Sequence, residues 1–242
     1  MTQNLIHMNL KDKLEYFFGV KYTEQAILCN KLLSTFQRPT RYLEIGVDEG
    51  VTFRKIVSDV KEGVDPYGRY DVAYRMTSQM FFALNKLFFH KKYDLIFIDS
   101  SHISNIVDYE IRESLRILNR GGYIVLHDTD PSEKQFAELV LSDILSYLRS
   151  ISYPYNSSHT DALNRQTFNG DVWKSVAKIR MNNPRLEVFT VADFGCTVIK
   201  RGEQKRLMRR VPDDKLSWNY FETHRKEILN LIPFTSINRY LY

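Results

Sequence analysis

The run Asp94-Leu95-Ile96-Phe97-Ile98-Asp99 constrains this chain more than any other feature. Successive side chains of a strand point to opposite faces, so four consecutive apolar residues require both faces to be buried. A parallel sheet covered by helices on both sides meets that condition, and the acidic ends mark where the strand reaches water. Tyr123-Ile124-Val125-Leu126-His127-Asp128 is a second run of the same kind. Between the two, Ile111, Leu115 and Leu118 recur at helical spacing, with Gly121-Gly122 as the expected stop.

The pattern extends in both directions. Residues 10 to 36 carry Leu14, Phe17, Phe18, Ile27, Leu28 and Leu32 at helical spacing without proline, which predicts two N-terminal helices before Arg38-Pro39. Arg41 to Val47 reads as a buried strand running into a glycine turn, followed by an expected helix from about Val51 to Val60. Gly63-Val64-Asp65 ends a second strand, a very short third is expected near Tyr74, and Thr77 to Phe88 reads as helix. Leu186 to Val191 and Cys196 to Lys200 flank a turn at Asp193-Phe194-Gly195, an antiparallel hairpin, and helix is expected from Trp218 to Leu231. The fold class is therefore α/β: a Rossmann-like doubly wound sheet, mostly parallel with a C-terminal antiparallel hairpin, and helices on both faces. With 242 residues, 43% of them hydrophobic, the chain can bury a core without staples. We expect one domain: N-terminal helices over 1–38, a core over 40–200 with a lid insertion near 131–185, and a basic helical extension over 201–242.

Two distant cysteines and the lack of any apolar run long enough to span a bilayer fit a cytoplasmic protein. The net charge of +5 resides mostly in residues 201–242, where RGEQKRLMRR reads as a solvated surface, and nucleic acid is disfavoured as a partner. A homo-oligomer is allowed.

Three groups of residues carry chemistry. Glu44-Ile45-Gly46-Val47-Asp48-Glu49-Gly50 forms a strand-to-helix turn, and Asp65 closes the next strand nineteen positions after Gly46. Gly46 allows close backbone approach, Gly50 allows close helix packing, and Asp65 can accept hydrogen bonds from ribose hydroxyls. The carboxylates of Glu44, Asp48 and Glu49 would repel a pyrophosphate. They suit a ligand bearing an ammonium and a sulfonium, such as S-adenosylmethionine. A purely structural turn would use the same glycines.

The second group is Asp99-Ser100-Ser101-His102 with His127-Asp128-Thr129, each at the end of an apolar run and so at a strand tip. Activation of a hydroxyl nucleophile needs a base, and His102 is the candidate, with Asp99 and Asp128 beside it. Asp99 and Asp128 could instead hold a divalent cation. Thr129 stands where a third oxygen ligand is wanted, so metal dependence is not expected. The third group, Asn169-Gly170-Asp171 before an apolar helix, reads equally as a turn with an N-cap. Trp173 and Tyr155, in or beside the insertion, could stack on a sugar or planar acceptor.

The series YLEIGVDEG, GVDPYG, YRMTSQMFF, YDLIFIDSSH and LRILNRGGYIVLHDT, over about residues 40–130, resembles class I S-adenosylmethionine-dependent methyltransferases. Within them it is similar to the small bacterial branch called methyltransferase family 24, whose C-terminal region FNGDVWKSVAKIR and LEVFTVADFGCTVI resemble. The resemblance implies that Glu44 and Gly46 hold the methionine end of the cofactor, with Asp48 and Gly50 completing the turn. Asp65 would take the ribose, Met76, Thr77 and Ser78 the adenine side, and Asp99 the floor near the methyl group. It implies O-methylation of a sugar, a glycan intermediate or another small polar metabolite. A nucleic-acid methyltransferase and a non-catalytic Rossmann-like binding protein remain the alternatives.

Overall fold

The computed structural model describes residues 23–67, 70–139 and 169–241. Seven strands form one sheet: β1 (Arg41–Ile45), β2 (Val60–Val64), β3 (Tyr93–Ile98), β4 (Leu118–Leu126), β5 (Leu186–Val191), β6 (Cys196–Arg201) and β7 (Leu231–Ile232). Their spatial order is β2-β1-β3-β4-β6-β5-β7. All pairings are parallel except those of β6, which runs antiparallel to both β4 and β5. All six residues of β3 are buried, as its uninterrupted apolar run requires.

Helices cover both faces. α1 (Glu24–Leu33) and the C-terminal α7 (Asn238–Leu241) pack on one side, where Leu28, Leu32, Tyr42, Phe97, Val125, Phe189 and Ile237 share a core. On the other lie α2 (Ser78–Leu84), α3 (Ser104–Ile117), α5 (Val172–Asn182) and α6 (Trp218–Leu229), around Phe81, Ile96, Ile111, Ile124, Val176 and Phe221. The short α4 (Lys134–Ala137) follows β4. None of the described helices is long and apolar enough to cross a membrane.

Local chemistry accounts for the element ends. Thr23 caps α1 by accepting from the Ala26 N–H, Thr77 caps α2 by accepting from Met80, and Ser217 caps α6 by accepting from Tyr220. The start of β3 is pinned by Asp94, which is buried and accepts from both Arg38 guanidinium nitrogens, the Arg41 N–H and Asn119. Burial alone would raise the Asp94 pKa, but these donors hold it below the ordinary aspartate value.

Five expectations change. The helix expected over 51–60 is a single 3-10 turn, Phe53–Lys55. β2 must start at Val60 to pair with Arg41, and the intervening Val51, Thr52, Ile56 and Val57 are β-branched residues that favour extended backbone. Gly121-Gly122 does not end α3, which stops at Ile117; both glycines lie inside β4, whose pairing with β3 shifts register between Tyr93 and Leu95. The helix from Thr77 continues past Leu84 as a π-turn over Asn85–Phe89 and ends at His90, in left-handed conformation with φ 52°. The C-terminal segment is not only helical, because Leu231–Ile232 adds β7 beside β5. The third strand expected near Tyr74 is one parallel bridge, Val64 to Tyr74. The first N-terminal helix, with Leu14, Phe17 and Phe18, and Tyr155 of the insertion lie outside the described residues.

Candidate active site

The parallel strands point their C-terminal ends to one edge of the sheet, and the turn after β1 sits there. Gly46, Asp48 and Gly50 all have positive φ, at 87°, 43° and 71°. Asp48 therefore occupies a left-handed position that glycine would fill more easily, and aspartate is among the few other residues that tolerate it. A Cβ on Gly46 would lie 2.2 Å from the Asp99 carbonyl oxygen and 2.6 Å from the Ser100 Cα, so only glycine lets this turn press against the tip of β3. Gly50 serves differently from expectation. With no helix there to pack, its missing side chain makes room for the Tyr70 ring, 2.6 Å from where a Cβ would stand.

Asp65 is buried and holds the turn from the neighbouring tip. Its Oδ2 accepts from the Val47 N–H at 2.9 Å and the Asp48 N–H at 2.8 Å, and its Oδ1 accepts from Tyr67 at 2.8 Å. Glu44 lies beneath, buried, accepting a 2.5 Å hydrogen bond from the Tyr42 hydroxyl. Burial, with the nearby charges of Asp99 and Asp65, pushes its pKa up to about 8 against the opposing pull of Tyr42 and Lys61. Met76 is half-buried and Thr77 caps α2, while the Asp65 N–H donates to Tyr74, which puts this segment beside the Asp65 tip. Ser78 is buried and hydrogen-bonded to Glu110, whose carboxylate also accepts from the Ser100 hydroxyl at 2.8 and 2.7 Å. Burial raises the Glu110 pKa to about 7.

Next to this turn the structure gathers four titratable side chains from two strand tips. His102 Nε2 lies 3.1 Å from Asp128 Oδ2; His127 Nδ1 lies 3.1 Å from Asp99 Oδ1 and 3.2 Å from Asp128 Oδ2. Burial disfavours the charged His102 ring, but the hydrogen bond and charge of Asp128, with Asp99 behind it, hold its pKa above the ordinary histidine value. His127 is raised further; burial again opposes, and Asp99 with Asp128 prevails. The same contacts hold Asp128 below the usual carboxylate range despite its burial. Asp128 has φ 55°, a left-handed conformation that stores strain at the site.

Two further segments close around the cluster. Asn169 Nδ2 donates to Asp128 Oδ1 at 2.7 Å, and the Asp171 N–H donates to the His102 carbonyl at 3.1 Å. Asp171 starts α5 but does not cap it. Its carboxylate instead accepts from the N–H of Ser104 at 2.7 Å and its hydroxyl at 3.1 Å, capping the first turn of α3. From the opposite face, Gln25 Nε2 of α1 meets His127 Nε2 at 2.5 Å. Ile98, Asp99, Ser100, Ser101, His102, Val107, His127 and Val172 line a small cleft over these groups.

Two residues singled out in the sequence are elsewhere engaged. Trp173 is 1% exposed, packs on Phe221 with ring centroids 4.7 Å apart, and donates its indole N–H to Ala137, so it belongs to the core and cannot stack on an acceptor. Thr129 is fully buried and bonded to Gly195 and Thr197, which takes it out of reach of a metal. Among the described residues, Asp99, His102 and Asp128 can bring one ligand atom each within 4.8 Å of the others, a mixed oxygen and nitrogen set that suits a divalent cation. The sequence reading made Asp99, His102 and Asp128 the catalytic group, and the structure brings them together. Gln25 carries no signal in the sequence, because its contact with His127 depends on how α1 lies across the sheet.

Residues 58–129 match the sequence model of methyltransferase family 24, described as a methyltransferase domain, so this segment carries the signature of that domain. No curated protein matches the chain. Among solved structures, it is similar to the O-methyltransferase from Bacillus cereus in complex with SAH, at 10% identity over 78% of this chain and 94% of that one, with a TM-score of 0.44. An SAH-bound methyltransferase from Podospora anserina gives 16% identity, 74% and 78% coverage and a TM-score of 0.45. MycE of the mycinamycin pathway, in complex with Mg, SAH and mycinamycin VI, gives 12%, 85% and 56%, and 0.44.

Proposed function

We propose, for a chain whose residues 58–129 match the methyltransferase domain, that it transfers a methyl group from S-adenosylmethionine to a hydroxyl of a sugar, glycan intermediate or other small polar metabolite. The observation that carries this reading is the close approach of Gly46 to Asp99 and Ser100, which presses the glycine turn against the β3 tip that leads to the His102–Asp128 pair. The residues fit the cofactor. Gly46 leaves no side chain at the turn, Asp99 and Asp65 supply carboxylates for its sulfonium and its ribose, and Glu44, kept mostly protonated at neutral pH by a pKa of about 8, can bond the methionine end as a neutral acid. When bound, the cofactor supplies a methyl carbon that leaves a sulfonium sulfur as the acceptor oxygen attacks it.

The chain's own part is to take the hydroxyl proton. His102 is 29% exposed at its side chain and lies toward the cleft, so its neutral form can accept that proton. Asp128 then stabilises the imidazolium, and Asn169 with His127 fixes the Asp128 carboxylate. The cleft lining holds one carboxylate, Asp99, two histidines and two serines, with no Lys or Arg, which suits a neutral polar acceptor.

His102→Ala should leave cofactor affinity unchanged in calorimetry and slow methyl transfer about 100-fold or more. Full turnover at neutral pH would remove His102 from the role. The cluster of Asp99, His102 and Asp128 supports a second reading, in which these three hold a divalent cation that lowers the pKa of the acceptor hydroxyl and His102 is a ligand instead of a base.

A further inference from the structure

At the opposite edge of the sheet, where the parallel strands begin, large apolar side chains face water. Leu87 is 63% exposed, Phe88 68% and Phe89 37%, all on the π-turn that closes α2. Val57, 70% exposed, and Val60, 37%, stand at the start of β2 on the same edge, and Met80, 55%, extends the apolar stripe along α2. Three consecutive exposed apolar side chains on one turn, Leu87 to Phe89, mark a candidate docking surface.

Its charge selects the partner. From Val72 to Tyr93 the chain contains Arg75, Lys86, Lys91 and Lys92 and no Asp or Glu. Lys86, His90 and Lys92 are exposed around the phenylalanines, and Lys86 and Lys92 have no ion-pair partner among the described residues. The acids flanking this edge each have a donor within the protein, and of them Asp59 is exposed. Glu62 is bound by Lys91, Arg41, Tyr74 and Tyr93, Asp94 by Arg38 and Asn119, and Asp59 accepts from Thr40. An isologous contact between two copies would bring the positive charges of Lys86 and Lys92 from both copies into one interface. An aromatic tip ringed by lysines is complementary to an interface that is apolar inside and anionic at its surface.

We propose that this edge docks on an anionic lipid surface, with Leu87, Phe88 and Phe89 seated among the headgroups and Lys86 and Lys92 against their phosphates. The six residues of β3 separate it from the tip at Asp99 by about 20 Å, so the docked protein holds its cleft clear of the bilayer and open to an acceptor that projects from the membrane or diffuses over it. This inference is independent of the proposed methyl transfer.

The test is co-sedimentation of the full chain with vesicles of phosphatidylcholine alone, or of phosphatidylcholine with about one third phosphatidylglycerol. Binding should be about 10-fold or more tighter to the anionic vesicles and should weaken with added salt. Lys86→Glu with Lys92→Glu should lower it about 10-fold, and Leu87→Ser with Phe88→Ser should lower it at least as much. All four side chains are exposed, so both variants should keep the parent's circular dichroism and melting temperature. Equal binding to both vesicle types, binding to neither, or no effect of either pair of substitutions would overturn the proposal. So would a dimer in light scattering that Leu87→Ser with Phe88→Ser splits, which would make the patch a contact between copies.

Discussion

Gly170→Ala is the sharpest test of how this site is held. Gly170 has φ 62°, and a Cβ there would stand 2.0 Å from the His102 carbonyl oxygen and 2.5 Å from the His102 Cβ. The left-handed backbone alone costs an alanine about 1 to 2 kcal/mol. The clash is with backbone and cannot be relieved by turning a side chain, so the 169–171 loop must retreat. Retreat strains the Asp171 N–H bond to His102 and the Asp171 cap on Ser104, each worth about 1 kcal/mol or more. A total near 3 kcal/mol lowers the melting temperature of a chain this size by about 6 to 12 °C. Gly121→Ala is the matched control: its φ is 77°, yet nothing lies within 4 Å of the added Cβ. It should cost only the backbone part, about 1 to 2 kcal/mol and about 2 to 8 °C. Calorimetric scans and turnover together separate the two. Gly170→Ala should also slow methyl transfer about 10- to 100-fold through displaced His102 and Asp128, with cofactor binding retained, while Gly121→Ala should turn over normally. Equal losses of stability in the two variants, with Gly170→Ala fully active, would refute the claim that this close approach orders the site.

Three other outcomes are expected. Glu44 has a folded pKa raised to about 8, so its contribution to stability is full below the unfolded value near 4.5 and is lost as pH rises toward 8; Glu110, raised to about 7, acts in the same direction. The melting temperature of the cofactor-free protein should therefore contain a component that falls between about pH 5 and pH 8, and Glu44→Gln should flatten it; an unchanged profile would show that Glu44 is not buried as described. Asp65→Ala should weaken cofactor binding by about 1.5 to 3 kcal/mol, and also lower the melting temperature, because Val47, Asp48 and Tyr67 lose their acceptor; unaltered affinity in a folded variant would exclude Asp65 from the ribose. Turnover should survive EDTA, whereas loss of activity restored by magnesium or manganese would make Asp99, His102 and Asp128 ligands.

What could be read from the sequence was whatever one element's own pattern dictates. β3 was legible because burial on both faces leaves an unbroken apolar run, and the β5–β6 hairpin because two such runs flank a short turn. The segment after Gly50 misled because apolar residues at 53 and 56 have helical spacing, while the distance to Val60 leaves room for one turn only. Asp99, His102 and Asp128 were legible as polar residues at the ends of apolar runs. Asp171 was not, because an aspartate before a helix signals a cap on that helix, and here it caps another. Trp173 likewise carries no mark that separates a stacking platform from core; the helix against it, with Phe221, decides.

The crossed cap of Asp171 on α3 also has a consequence for biosynthesis. A nascent chain that has emerged as far as Asp128 already contains every acid and histidine of the cluster, with β1 to β4 free to pair. Yet Ser104 still lacks its acceptor, His102 its clamp at Gly170 and Asp128 its Asn169 donor. The half-made protein can thus form the glycine turn before the acid and histidine cluster beside it is ordered, and only the arrival of the second half from the ribosome completes the proposed site.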